Sequence, residues 1–209
     1  MKRSWLLSFV ALGFLFSNCT KDPLKDMTEE ESRIYVTNYD TTVSFANYKT
    51  FRIADSIAII ENDQLRGRER TSIDAQFIDA IANALQQKGF TRVANGASAD
   101  LGVTVSAITN TSTQVVSYND YGNYYGSYWD PFYWDYPGYS YYAPTYYGVY
   151  ETGETALAVD MVDLKNVSAN NQLRVIWSGL IRGSGIFSGQ NINDQVNALF
   201  SQSTYLQSQ

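Results

Sequence analysis

The segment ETALAVDMVD spans residues 154–163, and the segment QLRVIWSGLIRG follows it at residues 172–183. Apolar residues recur at every second position in both, which is the period of a β-strand with one buried face. These residues are Leu157, Val159 and Met161 in the first segment, and Val175, Trp177 and Ile181 in the second. Residues 166–171 between the segments are polar, as in a turn. The two segments are therefore predicted to form a β-hairpin.

The same alternation predicts further strands upstream of this hairpin. They lie at residues 33–39, 48–53, 90–93, 100–109 and 112–118. Residues 57–60 are a short apolar island, and residues 62–70 are predicted to form a polar loop with three arginines. An anion would suit these arginines, but the interleaved Glu69 and the acidic chain favour a solvated mixed-charge loop.

A period near 3.6 residues predicts two helices. The apolar face of the first, which begins near Ser72, consists of Ile73, Phe77, Ile81, Ala84 and Leu85. Thr71 or Ser72 is predicted to cap it, and Gly89 to end it in the left-handed conformation. The apolar face of the second consists of Ile192, Val196, Leu199 and Phe200. Hairpin strands with two helices between them predict an α+β domain, with a mostly antiparallel sheet of about six to seven strands and both helices on one face.

The composition excludes several kinds of chemistry. The chain has 209 residues, no histidine and one cysteine. Ser-His-Asp and Cys-His catalysis, histidine-ligated metals and intrachain disulfides are therefore excluded. A net charge of −6 disfavours nucleic acid as a partner. We predict no metal and no cofactor.

The N-terminus has the pattern of a secretory signal. Lys2 and Arg3 precede an uncharged apolar run at residues 5–16. As a helix this run would reach about 18 Å, short of the roughly 30 Å hydrocarbon core of a bilayer. Residues 15–19, LFSNC, resemble a bacterial lipobox. Residues 1–18 are therefore predicted to be a lipoprotein signal peptide and Cys19 the lipidated residue; the alternative is an ordinary signal peptide with an incidental cysteine.

Residues 19–32 are predicted to be an acidic tether, and residues 33–205 a single domain. The tether is charged and has few apolar side chains, so it cannot bury enough surface to fold by itself. Its acidity resembles the signal that sends some Gram-negative lipoproteins to the cell surface, and a plain solvated linker is the alternative. We expect an outer-membrane lipoprotein, on the periplasmic side or the cell surface, that contacts the membrane through acyl chains on Cys19.

Tyrosine is concentrated between residues 118 and 150, where 13 of the 17 tyrosines lie. Glycine and proline interrupt this segment, so it is predicted to be a long insertion at the tip of two strands. Aromatic side chains stack on sugars or on a partner surface. The candidates for such contact are Tyr124, Tyr125, Tyr128, Trp129, Trp134, Tyr141 and Tyr142. The alternatives are that the insertion covers an open face or edge of the sheet, or that it is disordered.

A histidine-free enzyme would need a pair of carboxylates, as glycosidases have. The candidates are Asp100, Glu154, Asp160 and Asp163. Asp160 and Asp163 are an odd number of residues apart in one predicted strand, so we expect them on opposite faces. Asp100 is interpreted as a residue that starts a strand. We find no calcium loop, P-loop or dinucleotide fingerprint in the sequence.

We therefore predict a non-catalytic structural or partner-binding protein of the envelope. Its partner would be an envelope protein or a glycan. A glycan- or peptidoglycan-binding module that uses the aromatic insertion is the alternative, and a carboxylate hydrolase is the third.

Several segments together resemble the domain-of-unknown-function family 4136. They are Tyr39-Asp40, FANYKTF at 45–51, LQQKGF at 85–90, ADLGV at 99–103, TALAVDMVD at 155–163 and VIWSG at 175–179. Their order and spacing carry the resemblance, which extends from about Val36 to the second helix. Family members are bacterial lipoproteins of no established activity. The resemblance implies an envelope location and a fold, and it supplies no catalytic residue.

Overall fold

The computed structural model describes residues 27–62, 64–109, 114–117, 140–142, 147–150, 155–167 and 171–209. The chain divides into two compact units, residues 1–32 and residues 33–209. In the first unit, the backbone N–H of Ser32 donates to the carbonyl of Thr28 at 3.0 Å, which closes a turn. The second unit contains the strands and helices.

The described residues form eleven strands and two α-helices. The strands are β1 (Ile34–Tyr39), β2 (Thr50–Ile53), β3 (Ile57–Glu61), β4 (Gln64–Glu69), β5 (Thr91–Arg92), β6 (Leu101–Thr109), β7 (Gln114–Ser117), β8 (Ser140–Tyr142), β9 (Tyr147–Tyr150), β10 (Thr155–Asp163) and β11 (Gln172–Gly183). The helices are α1 (Ser72–Gln87) and α2 (Ile192–Ser201).

Nine of these strands form one sheet, in the order β1-β11-β10-β6-β2-β5. β3 pairs with residues 106–109 of β6, further along β6 than the residues that pair with β2, and β4 pairs with β3. β8 pairs with residues 172–174 of β11, before the residues that pair with β1. The long central pairs, β1/β11, β10/β11 and β6/β10, are antiparallel. β7 and β9 form a separate two-stranded antiparallel sheet. The predicted α+β class and the predicted hairpin are confirmed, with more strands in the sheet than predicted.

A β-bulge in β11 makes one prediction wrong, namely that Val175 shares a face of the strand with Trp177 and Ile181. Met161 pairs with Trp177, but Val162 pairs with Val175, so Ile176 is an extra residue in β11. Side chains alternate between faces, and an extra residue shifts that alternation. Trp177 and Ile181 therefore share the core face with Met161, as predicted, whereas Val175 is opposite Val162 on the other face.

The core lies between the sheet and the two helices. Phe77, Ile81 and Leu85 of α1 are fully buried in the same cluster as Val196 and Leu199 of α2. The sheet contributes alternate residues to this cluster, namely Leu101, Val103 and Val105 of β6 and Leu157, Val159 and Met161 of β10. Both helices thus pack on one face of the sheet, as their apolar faces predict.

The ends of α1 match their sequence signals. Thr71 and Asp74 form a capping box, in which Thr71 Oγ1 accepts from the Asp74 N–H at 3.2 Å and Asp74 Oδ2 accepts from the Thr71 N–H at 2.7 Å. Gly89 follows the helix with φ of 91°, a conformation that glycine adopts without strain. The first helix therefore begins and ends as predicted.

The predicted polar loop at residues 62–70 is wrong. Residues Gln64–Glu69 are strand β4, which pairs antiparallel with β3. Asn62 begins the connection with φ of 45°. This edge strand pairs with β3 through its backbone and its side chains are mostly exposed, so no apolar alternation predicts it.

The second face of the sheet is also buried near its centre. Thr104 and Ser106 of β6 are 5% and 4% exposed, and Ala156 and Ala158 of β10 are 1% and 4% exposed. The prediction that residues 100–109 bury only one face is therefore wrong. Small and polar side chains occupy this second face, and their burial does not follow from their composition.

Candidate functional site

Most of the predicted contact residues fall outside the described residues. These are Tyr124, Tyr125, Tyr128, Trp129 and Trp134, and the predicted lipidation site Cys19 also lies outside the described residues. Tyr141 and Tyr142 belong to β8, whose backbone runs parallel to β11 opposite Leu173 and Arg174. Glu154, one of the carboxylate candidates, also lies outside the described residues.

Asp160 and Asp163 lie on opposite faces of β10, as their spacing predicts. Asp160 pairs with Thr104 and Ser178 on the second face. Asp163 is hydrogen-bonded to Tyr48, which belongs to the core cluster on the helix-covered face. The sheet separates the two carboxylates, so they cannot act together on one bond.

Asp163 is the centre of a buried hydrogen-bond cluster. Its Oδ2 accepts from the Tyr48 hydroxyl at 2.7 Å and from Asn166 Nδ2 at 3.0 Å. Its Oδ1 accepts from the backbone N–H groups of Lys165 at 3.0 Å and Asn166 at 2.8 Å. Burial and the neighbouring carboxylate raise the pKa of Tyr48 well above its ordinary value. The carboxylate is saturated with donors and holds the end of β10 to the start of β2.

Asp100 ties β2 to β6. Its Oδ2 accepts from the backbone N–H of Lys49 at 2.6 Å and of Thr50 at 3.2 Å, while its own N–H donates to Thr50 Oγ1 at 3.0 Å. Its Oδ1 is 3.7 Å from Lys165 Nζ. The position just before β6 agrees with the interpretation of Asp100 as a strand-start residue.

Asp160 is the one described carboxylate that is buried with a strongly raised pKa. It is 6% exposed, and burial raises its pKa to about 7, although the Ser178 hydroxyl donates to it. Across the strand pair, the Thr104 hydroxyl is buried and has no hydrogen-bond partner among the described residues. The residues that pair with Asp160 in β6 and β11 are Thr104 and Ser178, so no second carboxylate lies directly opposite Asp160.

Strand β1 was predicted from the sequence, but its position at an edge of the sheet was not. It pairs with β11 on one side, and its Ile34 and Val36 side chains are 44% and 49% exposed. Tyr35 and Tyr39 on the other face pack against the core. Apolar side chains on both faces of a strand do not predict a sheet edge, so only the strand pairing shows that Ile34 and Val36 are exposed.

Within the part of the chain that the structure describes, no three His, Cys, Asp or Glu side chains could together hold a metal ion. None of the described helices is long and apolar enough to cross a membrane.

The structure defines an α+β domain in which Asp100 and Asp163 each accept hydrogen bonds that link strands. The model of the family described as Domain of unknown function (DUF4136) matches residues 35–203. The chain belongs to this family, as its resemblance predicted.

The chain is also similar to several solved structures. The chain is similar to a DUF4136 family protein from Bacteroides thetaiotaomicron, with 27% identity, a TM-score of 0.67, and coverage of 85% of this chain and 99% of that one. It is also similar to the PelC dodecamer from Paraburkholderia phytofirmans, with 12% identity, a TM-score of 0.40, and coverage of 85% and 99%. A PDZ domain protein from Parabacteroides distasonis matches with 14% identity, a TM-score of 0.46, and coverage of 83% and 36%. No curated protein matches the chain in sequence.

Proposed function

We propose that this chain is a non-catalytic lipoprotein of the cell envelope, anchored through Cys19, whose folded domain binds a partner. One observation carries the non-catalytic part. Asp163 at the end of β10 and Asp100 just before β6 both accept hydrogen bonds that tie strands together. A general base or nucleophile needs free lone pairs facing a substrate, whereas both carboxylate oxygens of Asp163 and Oδ2 of Asp100 already accept hydrogen bonds from the protein.

The anchor is supported by the N-terminal sequence. Lys2 and Arg3, the apolar run at residues 5–16 and Cys19 at its end are the parts of a lipoprotein signal. Acyl chains on Cys19 would hold the domain at the outer membrane, on the periplasmic side or at the cell surface, with residues 20–32 as the tether.

Replacement of Cys19 by Ser tests the anchor. The variant should move from the membrane fraction to the soluble fraction of a bacterial host, because it has no thiol to acylate. Labelled palmitate should mark the wild-type chain and leave the variant unlabelled. A variant that stays in the membrane fraction, or a wild-type chain without lipid, contradicts the proposal.

The partner is best sought by cross-linking intact envelopes and purifying the wild-type chain. A defined envelope protein recovered with the chain supports partner binding. The alternative is a glycan- or peptidoglycan-binding module, which is favoured by the aromatic residues at 118–150 and by Tyr141 and Tyr142 in a strand of the sheet. A glycan array separates the two, since specific glycan binding lost on deletion of residues 119–147 favours the module.

The third candidate function, a carboxylate hydrolase, can be tested by substitution of Asp160. A carboxylate hydrolase would lose turnover of peptidoglycan or oligosaccharide substrates in an Asp160→Asn variant that still folds. We expect no turnover by either the wild-type chain or the variant.

A further inference from the structure

The outer edge of β1 has backbone N–H and carbonyl groups with which a further strand can pair. Three contacts show which residues of β1 direct these backbone groups outward. The N–H of Asp40 donates to the carbonyl of Ile176 in β11 at 2.9 Å. The backbone N–H and carbonyl groups of even-numbered residues therefore point toward β11. The Tyr35 carbonyl accepts from Gln202 Nε2 at 3.3 Å, and the Tyr39 N–H donates to Asn38 Oδ1 at 2.8 Å. The backbone N–H and carbonyl groups of odd-numbered residues therefore point away from β11, toward the outer edge of the sheet. Thr37 lies between them, and its N–H and carbonyl have no partner among the described residues.

β1 also lacks the devices that protect an edge. β4, an edge strand on the far side of the sheet, carries Arg66, Arg68 and Glu69 within six residues. β1, with the sequence IYVTNY, has no charged residue, no proline and no bulge in its pairing with β11. Charged side chains are the usual protection against strand addition, so their absence from β1 favours pairing at this edge.

We propose that β1 pairs antiparallel with β1 of a second copy of this chain, with Val36 facing Val36 across a two-fold axis. The proposal is independent of the lipid anchor. In this register Tyr35 of each copy pairs with Thr37 of the other, and the outward N–H and carbonyl groups of both residues form hydrogen bonds. Ile34 lies opposite Asn38 of the partner copy, so both exposed apolar side chains of β1 enter the interface.

The contacts of β1 select this register over its neighbour. A pair centred on Thr37 would need the Tyr39 N–H, which is already bonded to Asn38. The pair centred on Val36 displaces only the side chain of Gln202, which is exposed and long enough to move. A second copy fits better than a charged peptide because β1 is neutral, so two copies meet there without like-charge repulsion.

Such an interface is small, so the dimer should be weak and dependent on concentration. The test uses the full chain with Cys19→Ser, expressed and processed in a bacterial host, in sedimentation equilibrium over a range of concentrations. We expect a monomer–dimer equilibrium. Val36→Lys places two ammonium groups opposite each other and should weaken the dimer at least about tenfold.

Leu65→Lys is the matched control, because Leu65 is also an exposed apolar residue on an edge strand, 36% exposed on β4. It should dimerise as the parent does, and both variants should keep the parent's melting temperature. A parent chain that stays monomeric, or equal weakening by both substitutions, overturns the proposal. So does a monomer whose Val36→Lys variant loses an envelope cross-link, which would assign the edge to a foreign strand.

Cysteine cross-linking tests the register. Facing residues of a non-hydrogen-bonded antiparallel pair have Cα atoms about 4.5 Å apart, within the range that a disulfide spans. In the Cys19→Ser background Val36→Cys has the only thiol of the chain and should form a disulfide dimer on mild oxidation. Thr37→Cys should form much less. The reverse result overturns the register centred on Val36.

Discussion

The hydroxyl of Tyr48 donates a 2.7 Å hydrogen bond to Oδ2 of Asp163, a residue 115 positions further along the chain. Tyr48 lies just before β2 and Asp163 ends β10, two strands that β6 separates in the sheet. Burial and the carboxylate raise the pKa of Tyr48, so the phenol keeps its proton and donates this bond at any physiological pH. The bond therefore joins two distant parts of the sheet.

Tyr48→Phe should lower the free energy of unfolding by about 1–2 kcal/mol, because it removes a buried hydrogen bond to a carboxylate. Urea denaturation at pH 7 measures this loss. Tyr35→Phe is the control, since the Tyr35 hydroxyl has no hydrogen bond among the described residues. Equal stability of the two variants would show that the Tyr48 hydroxyl contributes nothing.

Asp160→Asn should make the protein more stable at neutral and higher pH. The carboxyl of Asp160 has a pKa of about 7 in the folded chain and an ordinary value of 3.8 in the unfolded chain. The unfolded state then loses this proton first, so stability falls as pH rises from about 4 to about 7 and is constant above. One pKa unit is about 1.4 kcal/mol, so the variant should gain on the order of a few kcal/mol at pH 8.

Chemical denaturation between pH 4 and pH 8 checks the Asp160 prediction. The free energy of unfolding should change less with pH in this window for Asp160→Asn than for the wild-type chain. The amide of the variant also offers a donor to the Thr104 hydroxyl across the strand pair. Asp79→Asn, at an exposed position on α1, controls for the loss of one negative charge. A parallel pH profile for the wild-type chain and the Asp160 variant would refute the raised pKa.

Gly179→Ala should destabilise the fold by about 2–4 kcal/mol, because overpacking a tight core forces its neighbours to move. A Cβ at Gly179 would lie 2.5 Å from the Trp177 ring and 2.8 Å from Leu199 Cδ2. The measurement is the midpoint of urea denaturation. Leu199→Ala removes one of the clashing groups, so the double variant should lose less stability than the sum of the two single losses.

Ser203→Ala should cost about 1–3 kcal/mol, because it leaves a buried indole N–H without an acceptor. Ser203 Oγ accepts from Trp177 Nε1 at 2.9 Å and is fully buried. The indole N–H signal of Trp177 should shift and exchange faster with solvent in the variant. Ser201→Ala, at the exposed last residue of α2 and two positions before Ser203, should change neither stability nor the signal.

The elements with strong local signals were predictable. α1 has a capping residue, an apolar face and a terminal glycine in one continuous segment, and all three act within a few residues. The predicted range of β11, residues 172–183, coincides with the strand because apolar alternation and flanking turns define it locally. Even the separation of Asp160 from Asp163 follows from strand periodicity alone.

Features that depend on a partner strand were not predictable. β4 forms because β3 supplies backbone hydrogen bonds, and its exposed side chains carry no periodic signal. The bulge at Ile176 is a property of the pairing between β10 and β11, so strand periodicity alone puts Val175 on the wrong face. Only the assembled sheet decides such registers.

By itself, then, the sequence determined the class of the fold, the two helices, the family and the absence of histidine chemistry, because these depend on composition and on local periodicity. The tertiary structure decided that Asp163 accepts from Tyr48, that Asp160 is buried with a raised pKa, and that β1 is an unprotected edge. Each of these properties arises from residues far apart in the chain, whose contact or separation exists only after the strands have paired.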